Sequence, residues 1–508
     1  MMTTLKELFV VLLIACTVFA LARPIVSIYI APDDASRRRR VWFVVTIAAF
    51  LCPNFFVFAI IVIPFLVAAG RKDSNPGALF LFLMNAVPLI PWRVPMVGIS
   101  FLIDIDFPML LSFCVMIPAA LHLRKSTRQF QIPPSRALDI LLLCYLGLTS
   151  FYFVLPEISR GVLMTPTFTD GLRRAVESFV EIYLPFYVLS RTASSLRQIQ
   201  EMFAAFCLSC AIMAAIGAFE GVKHWLLYLS VRDHWGNTFG AYLFRGESLR
   251  AMASTTHALV LGYLLAVASG LWLCLKLKVA SKLSRNAVSV LYWLGLLAAY
   301  SRGPWLGGAA IYFIYTGLRR GAVSGFFKAA IASASIAAVI AISPLGTKIA
   351  QVIPYFGGTV DEENITYRER LLSRSWEIIQ DSPFLGDQHS LSRMEDLRQG
   401  EGIIDLMNGF VNILLDNGFI GLLLFLSFVL IGVFKTWVLS RETAQAASEL
   451  GAMCASLAAC ILGLMIMMWV GGQIVPMTCI LVALASACTR LAERQTRAVT
   501  IGPSSVTR

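Results

Sequence analysis

The chain has 508 residues, 58% of them hydrophobic and only 14% charged, with a mean hydropathy of +0.74, whereas a soluble protein carries roughly 25% charged residues. This excludes a disordered, collagen-like or disulfide-scaffold chain and a soluble enzyme with one anchor, and it predicts an all-α polytopic membrane protein forming a single transmembrane domain over 1–508. The net charge of +12 does not indicate a nucleic-acid partner, because Lys and Arg are not gathered with stacking aromatics on one wet surface; they punctuate the apolar stretches, the positive-inside pattern of a multi-pass protein.

Along the chain, the apolar run from Leu8 ends in Phe19-Ala20-Leu21-Ala22, which loosely resembles a leader cleavage site. Lys6 stands beside Glu7, however, a poor leader start, so a retained first helix is expected. Arg37 to Arg40 fall on the wrong side if Val41 to Ala69 is one span. Pro53 and Pro64 interrupt that stretch, and a helical hairpin there restores the parity.

Crossings of about 20 residues are then expected near Gly77 to Trp92, Phe107 to Leu123, Ala137 to Pro156, Val176 to Ser190, Gln198 to Val222 and Thr256 to Leu275. Others fit Asn286 to Tyr300, Pro304 to Leu318, Phe327 to Ile342, Phe410 to Phe434, Leu450 to Val470 and Val475 to Cys488. In all, 12–15 crossings are compatible with the pattern. External loops fall at 221–255 and 344–409. The second holds six Lys and Arg against eleven Asp and Glu, so a basic chain keeps its one long loop acidic. All eleven cysteines lie in or beside apolar stretches. Cys207 and Cys210 read as packing residues on one helix face, since a buried free thiol behaves as a small hydrophobe.

Four places can carry chemistry, because charge beside or inside a membrane is costly to keep. Tyr300-Ser301-Arg302-Gly303-Pro304 sets a single Arg at the outer end of an apolar hairpin. It either snorkels to the interface or aims its fork at phosphate oxygens. In Tyr242 to His257, Arg245 and Arg250 precede an apolar run opened by Ser254, Thr255 and Thr256. Those hydroxyls suit a helix N-cap, and an external helix N-terminus beside two arginines suits an anion. In Tyr367 to Asp387, Leu371, Leu372, Trp376, Ile379 and Pro383 repeat at helical spacing, so an amphipathic helix is expected to end at Ser382-Pro383. In Gly402 to Gly421, Asp405 and Asn408 lie one turn apart, and Asn412 and Asp416 continue the stripe. That reads as a cavity lining or as helix glue.

The ordered set YSRG, then YRxxLL with SPFLG in a long external loop, then N…L…GFIGLLLF opening the next crossing, resembles the bacterial O-antigen ligase and polymerase superfamily. RAMASTTHALVLGY is similar to that family's Arg-containing segment, so the resemblance covers about Tyr242 to Phe425. It implies a GT-C-like bundle in the bacterial inner membrane and a glycosyltransferase working at the periplasmic face. The implied donor is an undecaprenyl-diphosphate-linked glycan and the acceptor a sugar or lipid-glycan, with no nucleotide sugar, metal or other cofactor. Carried over by position, Arg302 and Arg250, with Arg245 beside them, hold the diphosphate, and Arg368 supports the loop or the acceptor. Ligases of the family typically show a His-Asn pair where this chain has Met407-Asn408. Asp405 and Asn408 are then the catalytic residues to expect, Asp405 as the replacement base, with His389 as a second candidate for that role. The departure tilts the reading from a strict lipopolysaccharide-core ligase toward a polysaccharide polymerase. The rival class, a transporter or flippase of lipid-linked saccharide, ordinarily shows repeat symmetry and helices broken at the midplane; neither is evident in the sequence. A structural subunit of an export complex is the third alternative, and it leaves Arg302 and Arg250 freely replaceable.

Overall fold

A computed structural model describes residues 2–98, 101–126, 136–152, 157–159, 162–164, 168–236, 244–245, 248–320, 362–387, 390–398, 404, 406, 408–442 and 449–500. The protein is an all-α polytopic membrane protein. Among the described residues, seven helices are long and apolar enough to cross a membrane, and the strands are three two-stranded ribbons of two or three residues each. The expected crossing Phe327 to Ile342 lies outside the described residues.

Helix α1 (Met2–Tyr29) and α2 (Pro32–Leu51) are followed by a break at 52–54, where Asn54 caps α3 (Phe55–Lys72) by accepting the Val57 N–H. The Val41 to Ala69 stretch is thus a helical hairpin turned at Pro53. Pro64 is accommodated inside α3. The two helices bring Arg38 of α2 to Asp73 just past the end of α3. Arg38 donates to both Asp73 oxygens at 2.9 and 2.6 Å and to Glu201 of α10 (Leu196–Lys223) at 2.6 Å. This network defines one end of the bundle, here the far end.

The crossing expected at Gly77 to Trp92 is corrected. Helix α4 runs only from Pro76 to Leu83, because Pro88, Pro91 and Pro95 follow and each removes a donor and forces its predecessor out of the helical region. Ribbon β1–β2 (Trp92–Arg93 with Asp104–Ile105) comes next. The later elements are α5 (Phe107–Leu111) and α6 (Ile117–Ser126), α7 (Arg136–Tyr152), ribbon β3–β4 (Glu157–Ser159 with Val162–Met164), then α8 (Phe168–Ser178) and α9 (Leu184–Thr192). A π-helical turn joins α5 to α6 and another joins α8 to α9.

After α10 come α11 (Leu229–His234), ribbon β5–β6 (Phe244–Arg245 with Ser248–Leu249), α12 (Ala258–Leu275), α13 (Lys282–Ala298) and α14 (Arg302–Arg320). Beyond the undescribed stretch lie α15 (Glu362–Asp381), a 3-10 turn (Ser392–Leu397), α16 (Gly409–Glu442), α17 (Glu449–Val470) and α18 (Val475–Thr500). One apolar core runs from Leu8 to Leu491 through the bundle. Cys207 and Cys210 are buried in it as free thiols. A second, smaller core joins α15 and the 3-10 turn to the first turns of α16, around Leu371, Ile378, Ile379, Met394 and Leu415.

Candidate functional site

The end of the bundle opposite Arg38 is assembled around the C-terminus of α17. Gly409, the first residue of α16, donates its N–H to Gly471 O at 2.9 Å. The hydroxyl of Tyr263 in α12 lies 3.0 and 3.2 Å from the carbonyls of Met467 and Gly472. Gly303, beside Arg302, packs against Val470. Helices α12, α14 and α16 therefore begin around one turn, and three helix N-termini, each with a partial positive charge, share this end.

Arg302 is the first residue of α14. It follows Tyr300, which takes a positive φ of 44°, so a non-glycine residue holds the left-handed backbone that reverses the chain from α13 into α14. Arg302 is exposed. Its guanidinium titrates below its ordinary value, through desolvation first and then the positive charge of Arg368 on α15. The charges of Arg302 and Arg368, 66 positions apart in the chain, thus act on one another.

The expected external loop 221–255 is packed into the protein over its described part, where Leu227, Tyr228, Val231, Trp235, Leu249 and Ala251 to Thr255 are all buried. The expected capping hydroxyls are also used otherwise. His257 caps α12, its Nδ1 accepting the Leu259 N–H at 3.4 Å. Ser254 instead donates to Asn85 O, and Thr255 to the carbonyls of Met252 and His257. A ring nitrogen that accepts belongs to a neutral imidazole. Burial, then Arg250 and then Arg232, push the pKa of His257 down to about 4.

Arg250 stands at the start of this buried segment, and the next residue, Ala251, donates its N–H to Ala298 O at the end of α13, at 3.0 Å. That hydrogen bond docks the Arg250 segment onto the turn that carries Arg302. Arg245 lies on β5, paired with Ser248; its side chain is outside the described residues.

Two residues here were not singled out by sequence, Glu220 near the end of α10 and Arg232 in α11. Both are buried. Glu220 accepts the N–H groups of Leu227, Met252 and Ala253 at 2.9, 2.9 and 2.8 Å. Arg232 donates to the carbonyls of Ala253 and Thr255. The available signal was their charge: a Glu within an apolar helix and an Arg in an apolar loop, each needing a buried partner.

Asn408 is the N-cap of α16. Its side-chain oxygen accepts the N–H of Phe410 at 2.9 Å and of Val411 at 3.2 Å. The catalytic role expected of it has to coexist with that capping. Asp405 and His389 lie outside the described residues. Asn412 and Asp416 follow Asn408 at one-turn intervals, all three partly buried.

Helix α16 breaks at Gly418 (φ 61°, ψ −168°). Into the break fits the Pro383 to Asp387 turn. Pro383 O accepts from Phe419 N at 2.8 Å, Phe384 O from Ile420 N at 3.1 Å, and Asp387 N donates to Leu415 O at 2.6 Å. The SPFLG and GFIG motifs are therefore two halves of one backbone joint. Tyr152 of α7 ties the same turn through Leu385 O.

A second polar cluster lies on β2, α5 and α8. Asp106 caps α5 by accepting Met109 N at 2.8 Å, Glu177 accepts Asp104 N at 3.1 Å, and Arg174 faces Glu177 at 3.7 Å. Burial, together with the charge of Glu177, raises the pKa of Asp106 to about 6.

At the far end, Asp34, Asp73 and Glu201 bring carboxylate oxygens within 4.8 Å of one another, a spacing a metal ion can use. Arg38 is hydrogen-bonded to two of the three, so the cluster already holds a cation, the guanidinium.

A search of curated proteins finds no match to the chain. Residues 287–426 match the family model described as O-antigen ligase, a span that takes in Arg302, Arg368, Asn408 and the Gly418 joint and leaves out Arg250. With seven helices among the described residues able to cross a membrane, the chain is a multi-pass membrane protein, and its 287–426 segment is similar to the O-antigen ligase family.

Proposed function

We propose that the protein is an inner-membrane glycosyltransferase that moves a glycan from an undecaprenyl-diphosphate carrier to a sugar or lipid-glycan acceptor, with its active end facing the periplasm. The observation that carries this reading is the hydrogen bond from Ala251 N–H to Ala298 O, which sets Arg250 and Arg302 on one docked unit beside the N-termini of α12 and α14. A lipid diphosphate presents its charge at the bilayer surface. Fixed guanidinium groups and helix N-termini at that depth stabilise it most when it departs.

In the proposed step, an acceptor hydroxyl attacks the anomeric carbon and the carbon–oxygen bond to the diphosphate breaks. The electron pair leaves with the diphosphate, toward Arg250 and Arg302, with Arg245 a further diphosphate contact. Arg368, held near Arg302, orders the loop or the acceptor. The hydroxyl proton goes to a protein base, for which the Asp405 carboxylate, four residues before α16 in sequence, is proposed and the His389 imidazole is the second candidate. The acidic 344–409 segment and the 221–255 segment belong to the periplasmic side in this reading. The basic far end, with Arg38, Arg191, Lys278 and Arg490, is cytoplasmic.

Deletion in the native host, followed by gel analysis of surface polysaccharide, tests the activity. Shortened chains identify a polymerase, and carrier-linked polymer with bare acceptor identifies a ligase. Unchanged glycan overturns the proposal.

A further inference from the structure

Ala253 has a positive φ of 48°, a conformation that costs a non-glycine residue about 1–2 kcal/mol and persists only where its surroundings impose it. The surroundings are two charged side chains from different helices. Glu220, fully enclosed, takes the N–H groups of Met252 and Ala253. Arg232, equally enclosed, takes the carbonyls of Ala253 and Thr255 and sets a guanidinium nitrogen 3.6 Å from the Met252 sulfur. The bend at Ala253 is thus gripped on its donors by a carboxylate and on its acceptors by a guanidinium. Charge-assisted hydrogen bonds of this kind are roughly twice as strong as neutral ones.

This grip cannot be explained by closing the end of α10 alone, because one bond to Leu227 N already reverses the chain there. The other bonds all converge on 252–255. That stretch leads directly back to Ala251, docked on Ala298, and to Arg250. Buried charges are expensive unless fully satisfied, and here both are spent on backbone geometry.

We propose that Glu220 and Arg232 are positioning residues that hold the Ala253 bend and thereby fix Arg250 against the Arg302 turn, setting the distance between the two arginines that receive the diphosphate. The proposal deepens the diphosphate reading given above and rests on it. A displacement of the order of 1 Å in such a pair costs on the order of 100-fold in catalysis, without requiring the fold to fail.

The test uses full-length protein in nanodiscs with undecaprenyl diphosphate as the probe, and compares wild type, Glu220→Gln, Arg232→Lys and Tyr29→Phe. Glu220→Gln keeps the shape but turns an acceptor into a donor facing the N–H groups. Arg232→Lys keeps the charge but loses the fork. Tyr29→Phe removes a remote far-end hydrogen bond to Leu275 O and reports what stability loss alone does. The expected result is binding weakened on the order of 10- to 100-fold in both clamp variants, with Tyr29→Phe binding as wild type at a similar or lower thermal midpoint. In the transfer assay the clamp variants should lose kcat/KM, and Tyr29→Phe should not.

Wild-type binding in Glu220→Gln and Arg232→Lys overturns the proposal, as does equal weakening in Tyr29→Phe. If neither clamp variant accumulates, the pair is structural and the proposal falls. If the wild type itself does not bind undecaprenyl diphosphate, the diphosphate reading fails first, and the control separates that result from failure of the clamp.

Discussion

Arg302 and Arg250 have the same side chain but opposite settings. Arg302 is exposed at the start of a helix, near Arg368, whereas Arg250 is half-buried beside a neutral His257. Arg302→Ala and Arg250→Ala are each expected to cut transfer roughly 30- to 1,000-fold, about 2–4 kcal/mol of transition-state binding, with normal abundance. Lys at either position should rescue poorly because it lacks the bidentate fork. Polymer gels and membrane immunoblots check both statements. His257 gives a pH signature. Its pKa falls from 6.5 to about 4 in the folded chain, so above pH 6.5 it is neutral in both states and contributes nothing to pH dependence. As pH falls from 6.5 toward 4, the unfolded chain takes up a proton that the folded chain refuses, and stability drops by up to about 1.4 kcal/mol per pH unit. His257→Asn, which can still cap α12, should flatten the fall in thermal midpoint between pH 7 and 5. A wild-type slope in that variant would place the acid sensitivity elsewhere.

At the scale of elements, the joint between the Pro383 to Asp387 turn and the break in α16 is the best-defined device outside the membrane core. The backbone at Gly418 occupies a region of φ and ψ that is essentially restricted to glycine, and a Cβ there would come 2.6 Å from Gly386 N. Gly418→Ala is therefore expected to expel the turn, at a cost of about 1–3 kcal/mol or more. Limited proteolysis should find faster cleavage near Leu385, and an unchanged cleavage rate would show that the joint tolerates the methyl group. This joint was half legible in the sequence. The Ser382-Pro383 stop and the late start of the next helix, after Asn408, could be read from local signals. That the two glycine motifs interlock could not be, because contact between backbones leaves no side-chain pattern. The same limit applies at 249–258. Arg250 and the apolar run after it announced a site, but Ser254 and Thr255 looked like caps because capping statistics are local. Their actual partners, Asn85 O and the carbonyls within their own bend, are set by tertiary packing. The apolar spans were legible wherever hydropathy and length agreed. They failed at Gly77 to Trp92, where Pro88 and Pro91 outweigh apolar content.

For the whole molecule, the Arg38 network binds the α2–α3 hairpin to α10 far from the proposed site. Removing one member of a buried pair typically costs 3–5 kcal/mol, so Arg38→Ala should lower abundance and thermal midpoint while the protein that survives transfers glycan at the wild-type rate per molecule. A selective loss of turnover would instead link the two ends. Helix α1 has a different whole-chain consequence. Glu7 is held by Ser230, 223 positions later, and Tyr29 by Leu275, 246 positions later, while only 17% of its apolar window is buried. At a ribosomal rate of about 5–20 residues per second, α1 stands in the lipid for roughly 10–45 s before either clasp has been synthesised. Until then α1 is held by packing alone, with the Phe19 ring against Trp42 and Phe43 of α2, so its polar clasps close on a helix that is already partly seated.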